Sequence, residues 1–112
     1  MKIGTFRSTE FFCNECKKEY QESVISTTLK CMDSNCAEPI YAAGSDNNGD
    51  EYVVKLLFAK DIKKDEIVYL MRAEPQSYIV TGTNMNKNKV HVGLKGHGSE
   101  RFGMKDIVAC LA

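Results

Sequence analysis

Four cysteines carry the most specific chemistry in the chain: Cys13 and Cys16 read C-x2-C, and Cys31 and Cys36, after fourteen intervening residues, read C-x4-C. That spacing brings two thiolate loops to one tetrahedral ion, and soft sulfur donors in a closed set of four select zinc over magnesium or calcium. Four protein ligands fill the shell. No position is left for substrate or activated water, so a structural zinc site is expected and metal catalysis is not.

The next candidates are basic. Lys87, Lys89, Lys95, Arg101 and Lys105, with His91 and His97, crowd the stretch from Asn84 to Lys105 against Glu100 alone. Strand alternation would put Lys89, His91 and Gly93 on one face and Val90, Val92 and Leu94 on the other. A wet, basic face of this kind suits a phosphate backbone, with Tyr69, Tyr78 or Phe102 at hand for stacking. A solvated strand face balanced by neighbouring acids is the plainer reading of the same residues.

Other constellations are weaker. His91, His97 and Cys110 are candidates for a second metal site, but turn histidines and a core thiol explain them more simply. The run Asp46, Asn48, Asp50 opens like a calcium loop and then fails, with Glu51 where glycine is required and Leu57 where a bidentate glutamate belongs. Gly93, Gly96 and Gly98 form no phosphate-binding signature, and hairpin geometry accounts for them. No nucleophile–base pair is recognisable: Cys110 lies in the apolar run IVACL, and no βαβ pattern surrounds C-x2-C as a redox pair would need. The expectation is a protein without catalytic turnover.

These residues must be positioned by strands. Phe11 and Phe12 stand directly before the first knuckle, where one is expected to cover the metal. Residues 17 to 30 are rich in β-branched and aromatic types and read as one or two strands, their serines and threonines disfavouring a helix. The expected strands beyond are 52–58, 66–72, 77–83, 89–94 and 107–111, separated by polar or glycine-bearing loops, although 55–63 also tolerates a helix. The polar stretch 44–51, GSDNNGDE, reads as a linker.

On the four cysteines, residues 11–41 resemble a zinc ribbon, a two-knuckle β module of transcription, translation and replication proteins and of small adaptors. The second pair departs from the usual C-x2-C, and Lys17 and Ala37 stand where ribbons often carry glycine after a knuckle. Residues 65–111 resemble, by hydrophobic rhythm alone, a small SH3-like or Tudor-like barrel, with MKDI as a 3₁₀ turn before the last strand. The expected fold is therefore mainly β: zinc ribbon 1–43, linker 44–51, and a small antiparallel barrel 52–112.

The 112 residues have zero formal net charge, so the whole molecule exerts no long-range pull on nucleic acid or acidic membranes. The halves differ: residues 1–52 carry 5 − 9 = −4 and residues 53–112 carry 10 − 6 = +4. The opening residues lack an apolar signal core and no run of roughly 18 apolar residues exists, which points to the cytoplasm. Two functions follow as expectations. One is a small zinc-stabilised regulator that contacts nucleic acid or a nucleoprotein machine through Lys87, Lys89, His91, Lys95, Arg101 and Lys105. The other is a protein-binding adaptor or inhibitor, of the kind phages and other mobile elements direct at a host protein, using the acidic ribbon or an open barrel edge.

Overall fold

A computed structural model describes residues 1–33, 35–72 and 76–112. Ser34, inside the second knuckle, and residues 73–75 of the expected 73–76 loop lie outside the described residues.

The protein is mainly β, one curled antiparallel sheet. Its strands are β1 (Lys2–Ile3), β2 (Phe6–Cys13), β3 (Lys18–Tyr20), β4 (Tyr41–Ser45), β5 (Glu51–Phe58), β6 (Ile67–Leu70), β7 (Gln76–Asn86), β8 (Lys89–Leu94), β9 (Gly98–Gly103) and β10 (Ile107–Leu111). They run in the order β1-β2-β4-β5-β10-β6-β7-β8-β9, with β3 paired to β2 off this path. The Thr5 N–H donates to the Met71 carbonyl at 2.8 Å, so the sheet curls until the β1–β2 turn meets the end of β6.

Two apolar cores use opposite faces of the same central strands. Ala109 of β10 faces the first core with Phe6, Phe11, Ile40, Val54, Leu56 and Phe58. Its neighbours Val108 and Cys110 face the second, with Val68, Leu70, Val80, Val90, Val92 and Leu94. This explains why IVACL is a continuous apolar run: a strand buried on both sides cannot alternate. The stretch 44–51 contains the turn of hairpin β4–β5, where Ser45 pairs with Glu51. Asp46 closes that turn by accepting from the N–H groups of Asn48 (2.8 Å) and Asp50 (3.1 Å) and from the Tyr52 hydroxyl (3.2 Å). Gly44 is demanded by packing, since a Cβ there would lie 2.1 Å from the Arg7 carbonyl oxygen.

Several expectations are corrected. The expected strand 52–58 is β5, and of the alternative helix over 55–63 only the 3₁₀ turn Ala59–Asp61 forms; where MKDI was expected as a 3₁₀ turn, a plain turn at Met104–Lys105 precedes the final strand. A short helix, α1 (Glu22–Ile25), follows β3 where strand was expected. One turn needs little propensity once its residue Ile25 is fully buried and the Leu29 N–H donates to the Ile25 carbonyl at 2.7 Å. Residues 98–103, expected as loop, form β9. Glycines at both ends and charges at its centre hide its strand character, yet it pairs with β8 from Leu94–Gly98 to Lys89–Gly103.

Candidate metal centre and basic face

The knuckles hang from the edge of the first core. Cys13 ends β2, and the chain folds back so that Cys13 pairs with Lys18 and Phe11 with Tyr20. The Lys17 N–H donates to the Cys13 carbonyl (2.9 Å) and the Cys16 N–H to Cys13 Sγ (3.4 Å). In the second knuckle, the Cys31 N–H donates to the Glu38 carbonyl (2.8 Å), and the Ile40 N–H to that of Leu29 (3.0 Å). Lys30 and Pro39 make an isolated bridge between these bonds. The Asp33 carboxylate accepts from the Asn35 N–H at 2.9 Å and meets Lys18 of the opposite knuckle at 3.4 Å. Those two donors, the amide first, hold its carboxyl below the usual range.

All four sulfurs lie within 4.8 Å of one another. Cys13 and Cys36 are 3.5 Å apart, and Cys16 and Cys31 are 3.8 Å apart. A disulfide needs about 2.05 Å, whereas a tetrahedron with metal–sulfur bonds of about 2.3 Å has edges of about 3.8 Å. The four cysteines are thus positioned to hold a metal ion, and the donor set is compatible with zinc.

Crowding acts on the thiols. Hydrogen bonding to Cys36, then burial, pushes Cys16 up to about 12. The Tyr20 hydroxyl, 3.2 Å from Cys31 Sγ, draws Cys31 down to about 7, and that same bond raises Tyr20 to about 12. As thiolates the four sulfurs would repel one another at these distances, and a divalent ion is the chemistry that would neutralise them.

Tyr20 is the aromatic in hydrogen-bond reach of the cluster; Phe11 packs in the first core together with Cys13 and Cys31, and Phe12 turns outward onto Tyr41 with ring centroids 5.9 Å apart. Folding the chain back at Cys13–Cys16 places Tyr20 across from Phe11, so hairpin register was the signal for it. The residues after each knuckle, Lys17 and Ala37, both have φ of 55°. Where ribbons often use glycine, this chain holds side chains in the left-handed region.

The second region presents the basic residues. Rows read across β7, β8 and β9 are Asn86–Lys89–Gly103, Asn84–His91–Arg101 and Gly82–Gly93–Ser99. Alternation holds, since Val90, Val92 and Leu94 are buried beneath while Lys89 and Arg101 are exposed. At the third row an extra residue, Thr81, interrupts the register of β7, and its Oγ1 lies 2.6 Å from where a Gly93 Cβ would be. Lys87 lies in the β7–β8 turn, Lys95 in the β8–β9 turn and Lys105 just past β9, so the cations edge the face at both ends. No acidic residue is a member of these three rows, but the Asp106 carboxylate closes the edge of the first, accepting from the Gly103 N–H at 2.8 Å and lying 3.1 Å from where a Gly103 Cβ would be. Glu100, paired with the buried Val92, belongs to the opposite face, where its Oε1 meets His97 Nε2 at 2.9 Å and Arg72 at 2.6 Å.

The aromatics expected to stack bases are engaged elsewhere. Tyr78 packs on His97 with ring centroids 4.8 Å apart, Tyr69 lies 6.2 Å from the Tyr52 ring, and Phe102 packs against the second core. Among the described residues, His91, His97 and Cys110 do not gather into a second metal cluster. Burial pushes the Cys110 thiol up to about 12.

A contrasting outer face covers β2–β4–β5. Its rows are Arg7–Ser45–Glu51, Glu10–Ala43–Val53 and Phe12–Tyr41–Lys55. The small β4 residues floor an open groove of about 770 Å³ with charges of both signs on its walls.

Fold and site define a class: a mainly β protein on one curled antiparallel sheet, with a four-cysteine cluster positioned for a metal ion. Among the described residues no helix is long and apolar enough to cross a membrane. Comparison with protein-family models, with curated proteins and with solved structures finds no match.

Proposed function

We propose that the chain is a small non-enzymatic binding module of the cytoplasm, stabilised by structural zinc at Cys13, Cys16, Cys31 and Cys36. It contacts nucleic acid, alone or within a nucleoprotein machine, through the outer face of β7–β8–β9. The observation that carries this reading is the sign of that face. Lys89, His91 and Arg101 stand in adjacent rows with Asn84 and Asn86, and the one carboxylate described beside them is that of Asp106 at the Gly103 edge, whereas the β2–β4–β5 face mixes Arg7 with Glu10 and Glu51 within its rows. A face with an excess of cations on a chain of zero net charge attracts a polyanion only locally, by replacing its counterions.

Zinc fits as a fastener. When bound, it neutralises the thiolates and ties the two knuckles together, leaving the chain's own residues to do the binding. The test is electrophoretic retardation of mixed-sequence nucleic acid by the zinc-loaded protein across a salt series. Binding that falls steeply with salt and drops about tenfold or more in the Lys89→Glu/Arg101→Glu double variant supports the reading. Salt-insensitive or absent binding by a protein that holds its zinc removes it.

A further inference from the structure

On the reading just given, we infer that the basic face takes double-stranded nucleic acid in preference to single strands, gripping phosphates without reading bases. Two arguments carry this, and both come from what the rows contain.

The first is the lack of a stacking platform. Single-strand binders set unstacked bases on aromatic rings, and that stacking supplies much of their affinity. Here the rows offer ammonium, guanidinium, imidazole, amide and hydroxyl groups alone. Tyr78 and Phe102, which share these strands, face the other side of the sheet, Tyr78 against His97 and Phe102 against the second core. A flexible single strand would have to be ordered along this face with only its phosphates in return. In a duplex the bases are already stacked and the charge density is doubled, about one charge per 1.7 Å against one per 3.4 Å in each strand.

The second is width. Three strands spaced about 4.8 Å apart, with side chains on their outer edges, make a platform of about 15 Å. The major groove, about 12 Å wide, admits a helix or a two-stranded ribbon, and the minor groove is narrower still. The platform therefore lies across the phosphate ridges. Lys89 and Lys95, six residues apart along the strand direction, reach backbone positions about 20 Å apart, while Arg101 and His91 face each other across the ladder at the centre. Contacts of this kind position a protein and carry no sequence information.

The experiment is fluorescence anisotropy of zinc-loaded protein with a labelled mixed-sequence duplex of about 20 base pairs, either isolated strand, and a scrambled duplex. Duplex is expected to bind about tenfold or more tightly than either strand, with equal affinity for the scrambled sequence. The five cations Lys87, Lys89, Lys95, Arg101 and Lys105 limit the slope of log K against log salt to about −4.5, since each phosphate contributes about −0.9. The Lys89→Glu/Arg101→Glu variant, checked for zinc content and circular dichroism, should lose the duplex preference. Single strands that bind as tightly as duplex, or a strong preference for one sequence, overturn this inference and leave the nucleic-acid reading standing. Failure to bind either form overturns both.

Discussion

The two cores share β10 and differ in what closes them. The second is bounded by long hairpins: β7 pairs with β8 from Val80–Leu94 to Asn86–Lys89, and β8 continues the ladder into β9. Backbone pairing is extensive there, broken only by the bulge at Thr81, and Val80, Val90, Val92 and Leu94 pack the interior with apolar side chains. The first core is closed by residues 14–40, whose regular structure among the described residues is limited to the short β3, the single turn of α1 and one isolated bridge. Ile25, Leu29, Cys31 and Ile40 nevertheless reach full or nearly full burial. Where strands pair over long stretches, hydrocarbon suffices; where loops must close the core, a metal held by the four cysteines would supply the cross-link that the missing ladder does not.

The largest expected effect comes from removing that cross-link. Structural zinc contributes about 10–16 kcal/mol of apparent binding in small peptides, and metal binding there is coupled to folding. Chelation, or Cys31→Ser, should cut hydrogen-exchange protection of the Cys31 and Ile40 amides about 100-fold or more, equivalent to about 3 kcal/mol. The amides of β8 should change far less. Equal loss in both regions would merge the two cores into one cooperative unit; unchanged protection in both would deny the cysteines a structural role.

A smaller effect concerns backbone strain, which the second region carries too, at Lys87 of the β7–β8 turn with φ of 52°. Lys17 and Ala37, each just past a knuckle, hold φ of 55°, and an L residue in the left-handed region costs roughly 1–2 kcal/mol. Part of that is returned by the greater freedom glycine brings to the unfolded chain. Lys17→Gly and Ala37→Gly should therefore each stabilise the zinc-loaded protein by about 0.5–1 kcal/mol in denaturant melts. Asn88, with φ of 66° in the β7–β8 turn, tolerates this region by nature, and Asn88→Gly should gain less. A loss of stability at position 37 would show that its side chain contributes packing that outweighs the strain.

Legibility followed the same division. β8 and β10 coincide with the expected 89–94 and 107–111, because valine-rich alternation and a doubly buried apolar run are unambiguous signals. The cysteine cluster was legible from spacing, since two short loops with two sulfurs each have few other uses. What escaped depends on partners distant in sequence. β9 reads as loop because its strand character comes from pairing with β8; α1 is held by burial of Ile25 against intrinsic propensity; and Tyr20 reaches Cys31 only through hairpin register. The outer face was legible in sign but not in content, since alternation places Lys89 and His91 together yet cannot tell that Glu100, Tyr78 and Phe102 face the other way.

The smallest effect tests that division of faces. Glu100 is the one acid of residues 84–105, and it lies on the core side, where His97 first and Arg72 second hold its carboxyl below the usual range. A carboxyl depressed in the folded state contributes stability that is whole above its unfolded value, near 4.5, and fades as pH falls through the lower folded value. With the side chain 23% exposed, solvent screening keeps the contribution to about 1 kcal/mol or less. Glu100→Gln should therefore cost about that much at neutral pH, and the difference from the parent should close below the folded value. Because the carboxylate faces away from Lys89, His91 and Arg101, the same variant should leave duplex binding within about twofold of the parent. A marked gain in affinity would mean that its charge already neutralises the outer face, and the contrast between the two faces would fail there.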